Sequence, residues 1–257
     1  PRDAALGVRI VPDGSGYAVA VLDTGIDLDH SFFGPDNNGD GVSDRIVYQY
    51  DFANGDADAA DFQNHGSNVA SIVGSSDATY EGMAPGVDII ALKVFTDAGG
   101  GQFSYTEAAL QWVVDNAEAY NIVAVNMSLG DENNWSSEQT RYGVDDELAA
   151  LVAMDVIPVS SSGNDFYSFS SAQGVGYPAA DPNSWSIGAV YDGGSSGYTY
   201  ASGAQAYSSG ADRITAFSQR HETLSDLFAP GAPIVGASKS GGTVAMHGTS
   251  QAAPHVA

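Results

Sequence analysis

The chain has 257 residues, enough for one large domain with a substantial core, and it contains no cysteine, which excludes a disulfide scaffold, thiolate catalysis and thiolate metal ligation. Its 32 Asp plus Glu stand against 8 Lys plus Arg, a formal net charge of -24, and a field of that sign disfavours nucleic acid and anionic membrane surfaces as partners. No apolar run approaches a membrane span, and the opening Pro1-Arg2 carries no signal-peptide pattern, so a processed chain is expected.

In chain order, residues 17–22 are a continuous apolar run ending at Asp23-Thr24-Gly25. Such a run fits a strand buried on both faces of a parallel sheet, and an acid at its carboxyl end sits where open α/β sheets place ligands. The segment 34–61 is rich in Asp, Asn and Gly around a strand at 45–50. Within it, Asp36, Asn38, Asp40 and Asp44 put hard oxygen ligands between glycines, as a structural Ca2+ loop requires, although an EF-hand glutamate is missing. A cluster at 56–61 is the second candidate, and a solvated turn is the alternative for both.

His65 opens a small-residue helix that a glycine closes at Gly74. A strand is expected at 88–95, then Gly99-Gly100-Gly101, then a helix over 105–119 with Ser104 and Glu107 as a capping box. Strands at 122–130 and 156–161 bracket an acidic loop and a helix reaching about residue 154, and another strand covers 186–190. This alternation with short connections predicts a three-layer α/β/α fold with a mostly parallel central sheet, in one domain over 1–257. Residues 192–212, rich in Gly, Ser, Tyr and Ala, read as a surface insertion with a hairpin as one form.

Near the end, Gly248-Thr249-Ser250 leads into a helix start with Pro254. Read locally, Thr249 or Ser250 is a helix cap or an exposed nucleophile beside unpaired helix N–H groups. Asp23, His65 and Ser250 together form an acyl-transfer set in the order Asp, His, Ser. The segments Asp23-Thr24-Gly25, His65-Gly66-Ser67-Asn68-Val69-Ala70, Ser162-Gly163-Asn164 and Gly248-Thr249-Ser250-Gln251-Ala252-Ala253-Pro254-His255-Val256-Ala257 resemble those of the subtilisin-like serine proteases (subtilases).

The resemblance implies a subtilisin-like fold and a serine endopeptidase with Asp23, His65 and Ser250 as its triad and Asn164 as an oxyanion donor. It implies an extended-substrate cleft at Gly99, Gly100, Gly101, Ser128, Leu129 and Gly130, with Ser161, Ser162 and Gly163 walling the pocket before the scissile bond. Broad specificity for large apolar residues is expected, with Asp131, Glu132 and Asp165 able to tilt it toward basic ones. No cofactor is needed for catalysis. Partners are protein or peptide substrates, with a propeptide or a C-terminal segment beyond Ala257 as further partners, and the location is secreted or at the cell surface.

Several positions depart from the family pattern. Ser67 and Asn68 replace Thr and His, Gln251 replaces an oxidisable Met, and His247 reads as a rim residue. The segment 74–82 is too short for the family's strong calcium site, and the helix at Ser250 is expected to run on past Ala257. The alternatives are an impaired protease-like binding or scaffold domain and an acid peptidase with a glutamate base, the second opposed by His65. One prediction follows from the charge alone: added salt or divalent cations raise the melting temperature by screening self-repulsion, and a melting temperature insensitive to both would overturn it.

Overall fold

The computed structural model describes residues 12–194 and 197–257. Strand β1 (Ala18–Asp23) is buried along its whole length, as its unbroken apolar run requires. Its side chains alternate between two cores, following the period-2 geometry of a strand. Ala18, Ala20 and Leu22 face one cluster and Val19 and Val21 the other.

Beside β1 lie β2 (Ile46–Asp51), β3 (Asp88–Lys93), β4 (Ile122–Met127), β5 (Ile157–Ser161), β6 (Trp185–Tyr191) and β7 (Leu227–Ala232). They form one sheet in the order β2-β3-β1-β4-β5-β6-β7, and every neighbouring pair is parallel. After β1 the chain goes to the edge strand β2, returns to β3 between the two, and then crosses to β4 on the other side. The strand order therefore reverses next to β1, the place where such sheets open a crevice at their carboxyl ends.

Helices cover both faces. Helix α1 (His65–Gly74) buries Val69, Ala70 and Val73 against Val19, Val21, Ile89 and Ala91. On the opposite face, α2 (Phe103–Tyr120) and α3 (Asp145–Ala153) contribute Leu110, Val113, Leu148 and Leu151. Strands β8 (Ile234–Ala237) and β9 (Thr243–Met246) pair antiparallel and lead into α4 (Thr249–Ala252), which continues as a 3-10 turn over Ala253–His255. Ala252 and Ala253 join a third cluster with Ile187, Ala189 and Tyr191 of β6.

One local expectation fails. Helix α2 starts at Phe103 with Gln102 as its cap and no side-chain cap bond, so Ser104 lies inside the first turn and the Ser104–Glu107 capping box does not form. The 192–212 stretch, of which 195 and 196 lie outside the described residues, takes a hairpin-like form over 197–206. Its Thr199 and Gln205 pair antiparallel, and Ala204 and Ala206 are buried.

Only 8 basic residues serve this chain, and two of them work indoors. Lys93, on β3 opposite Asp23 of β1, is 1% exposed. It donates to Asp51 at 2.7 Å and to Asp97. Burial pulls the Lys93 ammonium down, but the two carboxylates outweigh it and hold its pKa above the ordinary lysine value. The ion pair is therefore intact below the unfolded-state lysine value and is lost as pH rises through the raised folded value. Replacing Lys93 by Met leaves the buried Asp51 charge unpaired. A loss of about 3–5 kcal/mol in denaturant unfolding is expected, and a loss under about 1 kcal/mol would contradict a buried pair.

Candidate active site

Asp23 ends β1 at 1% exposure, and its Oδ1 accepts from His65 Nδ1 at 2.7 Å and from the Thr24 N–H at 2.7 Å. That pairing fixes the tautomer with the proton on Nδ1 and leaves Nε2 as the acceptor. Among the described residues the buried Asp23 Oδ2 has no hydrogen-bond partner. The residue after the histidine must be small: a Cβ on Gly66 would collide with the Gly25 carbonyl and lie 3.1 Å from Asp23 Cβ. Only a glycine lets the first turn of α1 reach the end of β1.

The histidine is held from several directions. Thr24 Oγ1 accepts from the Gly66 N–H at 2.9 Å and donates to Asp61 at 2.9 Å. Asp61 in turn receives the Ser67 N–H and hydroxyl, so Ser67 keeps a hydroxyl role in this loop. Asn64 takes a left-handed conformation, φ 71°, at the cap of α1, and its Oδ1 receives Ser238 Oγ and the Lys239 N–H. Buried Asn68 donates to the Val244 carbonyl on β9 at 3.1 Å, tying α1 to the strand that precedes Ser250. Burial pushes the His65 pKa down, but the charge and hydrogen bond of Asp23, with Asp61 behind, hold it above the ordinary histidine value.

Ser250 is the second residue of α4 and is 8% exposed. Its Oγ donates to the Ser128 carbonyl at 3.3 Å, and among the described residues it makes no hydrogen bond to His65. Ser128 Oγ donates back to the Ser250 carbonyl at 2.7 Å and receives Asn126 Nδ2 at 2.9 Å. Asn164 Oδ1 receives both the N–H and the hydroxyl of Thr249, at 2.9 and 3.1 Å. Two donors on one oxygen orient the carboxamide, so Nδ2 points the other way. A Cβ built on Gly248 would lie 3.5 Å from Ser250 N and 3.6 Å from Asn164 Nδ2. The two N–H groups thus border one small space beside the serine.

A groove of about 490 Å³ is lined by Gly99, Gly100, Gly101, Leu129 and Gly130 together with Phe95, Phe103 and Tyr142. Ser128, Ser161, Ser162 and Gly163 do not line it. Their hydroxyls serve the interior: Ser161 donates to the Leu129 carbonyl and Ser162 to the Gln219 carbonyl. Asp131 and Glu132 border the groove, but they differ. Burial raises the Asp131 pKa, yet donors from Tyr177, Asn133 and Trp135 outweigh it and hold the carboxylate below its usual range. Glu132 is exposed. Asp165 receives the Ser168 hydroxyl.

The carboxylates of the 36–44 loop turn inward on their own chain. Asp36 accepts the Gly39, Asp40 and Gly41 N–H groups, Asp40 accepts Val42 N–H and Asn38 Nδ2, and Asp44 accepts from Asn37. Among the described residues no group of three or more His, Cys, Asp or Glu is arranged to hold a metal ion. Asp36, Asn38, Asp40 and Asp44 thus spend side-chain oxygens on donors of the loop itself. The physical reason is that short Asp-Asn-Gly turns satisfy their side chains locally.

Sequence reasoning missed Asn126 and Asp61, which support the site through Ser128 and Thr24. It also missed that Met246 keeps a thioether in the site: Gln251 Nε2 lies 3.7 Å from Met246 Sδ, so an oxidisable sulfur persists near the serine turn despite Gln251. No periodicity marks such contacts, although an Asp-Thr-Gly paired with His-Gly hints at one.

Known proteins resemble this chain in sequence and fold. The alkaline serine exoprotease A of Vibrio alginolyticus is 32% identical over 246 residues, covering 95% of this chain and 38% of that protein. The subtilisin of Bacillus pumilus is 30% identical over 251 residues, covering 95% and 75%. A cold adapted subtilisin-like serine proteinase of known structure superposes with a TM-score of 0.73 at 30% identity, over 95% of this chain and 73% of its own. The chain spans 38% and 54% of the length of the Vibrio protein and of subtilisin amylosacchariticus from Bacillus subtilis subsp. amylosacchariticus. The Subtilase family profile matches residues 14–257, from the turn before β1 through the serine helix, and the chain belongs to that family.

Proposed function

We propose that this chain is the catalytic part of a serine endopeptidase that hydrolyses peptide bonds in proteins through an acyl-enzyme. The observation that carries the reading is the 2.7 Å contact between His65 Nδ1 and Asp23, made at the same sheet edge where Ser250 N and Asn164 Nδ2 flank one space. Ser250 Oγ turns from the Ser128 carbonyl toward His65 Nε2 and attacks the substrate carbonyl as the imidazole takes its proton. Loose serine geometry of this kind is common without substrate. Asp23 stabilises the imidazolium, and Asn164 Nδ2 with the Ser250 N–H holds the oxyanion. His65 then protonates the leaving amine, and water repeats the cycle on the ester. No cofactor enters these steps.

Substrate lies extended between the Gly99–Gly101 edge and Ser128–Gly130, adding to exposed backbone. Ser161, Ser162 and Gly163 wall the pocket before the scissile bond with main chain, because the two hydroxyls are committed elsewhere. Apolar side chains suit the Phe95, Phe103 and Tyr142 lining. Glu132, exposed at the groove, is the acid that favours basic residues. A secreted location, a propeptide partner and a single domain carrying an insertion at 192–212 belong to the same proposal. Among the described residues no helix is long and apolar enough to cross a membrane.

A serine-directed fluorophosphonate labels the wild-type chain and not Ser250→Ala, and a folded wild type that resists labelling sinks the reading. Because His65 is held above the ordinary histidine value and must be neutral to act, the acid limb of kcat/KM lies above about pH 6.5. The linkage has the opposite sense for stability: protonated His65 contributes below its unfolded value, and that contribution disappears as pH rises through the raised one. Asp23→Asn moves the acid limb down and lowers kcat on the order of 10⁴-fold. Asn164→Ala lowers kcat roughly 10²–10³-fold, a magnitude carried over from the corresponding donor of a subtilisin rather than derived from this chain.

A further inference from the structure

The segment beyond β6 that composition left without a role bears on the nucleophile. Residues 197–206 fold back on themselves: Gly197 N–H donates to Ala206 O at 3.0 Å, Ala206 N–H to Tyr198 O at 2.9 Å and Tyr200 N–H to Ala204 O at 2.9 Å. This pairing sets Tyr198 and Tyr200 on the His247 ring, with centroids 4.8 and 5.8 Å away and interplanar angles of 66° and 65°. Tyr200 also meets Phe217 edge-on at 4.7 Å. Its hydroxyl reaches that of Tyr191 at 3.5 Å, which accepts the Ala216 N–H. The loop is thereby anchored in the same buried cluster as Ala252 and Ala253 of the serine helix.

His247 lies three residues before Ser250. Among the described residues its buried Nδ1 has no hydrogen-bond partner, and burial lowers its pKa, disfavouring the charged form. What holds it is aromatic edge contact, favourable at these centroid distances. The rest of the turn is tied by polar bonds. Gly248 N–H donates to Gly231 O at 2.9 Å, Thr249 donates to Asn164, and Ser128 Oγ donates to Ser250 O.

We propose that residues 197–206 are an aromatic clamp, in which Tyr198 and His247 are positioning residues that hold the Gly248-Thr249-Ser250 turn in register for attack. The clamp rests on the serine endopeptidase reading above. It acts through packing and needs no proton from His247. A nucleophile displaced by a fraction of an ångström loses rate more than binding, because near-attack geometry, not substrate contact, is disturbed.

The test uses Tyr198→Ala, Tyr198→Phe, His247→Ala, His247→Phe and the double Ala variant, with folding checked by circular dichroism. Each is assayed for kcat and KM on a chromogenic peptide that occupies only the acyl side, and for its fluorophosphonate labelling rate. Each Ala variant should lose about tenfold in kcat and labelling rate, with KM within about twofold. The double variant should be no worse than His247→Ala alone, because that variant already removes the Tyr198–His247 contact. Both Phe variants should return to near wild-type rates. Unchanged kcat in Tyr198→Ala, additive losses in the double variant, or a His247→Phe as slow as His247→Ala would each overturn the clamp while leaving the endopeptidase reading intact. A wild-type chain that neither labels nor hydrolyses would overturn both.

Discussion

The approach of α1 to the end of β1 is the constraint on which the site depends. Asp23 can meet His65 only because Gly66 presents no side chain to the Gly25 carbonyl and to Asp23. A strand buried on both faces gives the aspartate a rigid base, and the Thr24–Asp61–Ser67 bonds brace the histidine turn from below. The carboxylate is desolvated and the imidazole stays tethered to it. The same contact that orients the ring also raises its affinity for a proton, so geometry and electrostatics come from one arrangement.

The serine arrives on a different arm, and that arm is held by polar and aromatic bonds rather than by a long helix. Helix α4 has only four residues before its 3-10 continuation. Its placement comes from tethers at Asn164, Ser128 and Gly231 and from the rings around His247. The β8–β9 hairpin joins the two arms. Asn64 beside the histidine grips Ser238 and Lys239 at the hairpin turn, and Asn68 binds β9. A change in the hairpin would therefore be felt by both the general base and the nucleophile.

A chain with a net charge of -24 places two of its few cations where they bind the fold together. Arg45 donates to the carbonyls of Phe32, Gly74, Pro85 and Val87, satisfying loop ends that would otherwise be unpaired. Lys93 joins Asp51 to the Asp97 turn, which leads into the Gly99–Gly101 edge. The surface keeps its acidity while the interior uses the bases as cross-links.

The sequence by itself determined the α/β/α class and six of the seven sheet strands, because unbroken apolar runs carry their meaning locally; β7 has no such run, and Asp23, His65, Asn164 and Ser250 stand out through their motifs' resemblance to a family rather than locally. The Ser104–Glu107 cap failed, since α2 begins two residues earlier than expected, at Phe103. In the 36–44 loop, whether a carboxylate faces a cavity or its own loop amides is decided by turn geometry that composition does not encode, and Asp36 and Asp40 bond the loop's own N–H groups. Only the tertiary structure decided that Ser161 and Ser162 point inward, that Asp131 is kept ionised and tied up by its donors while Glu132 stays exposed, and that Tyr198 meets His247. Each of those joins residues far apart in the chain, and such contacts are set by how strands and helices pack rather than by any pattern along them.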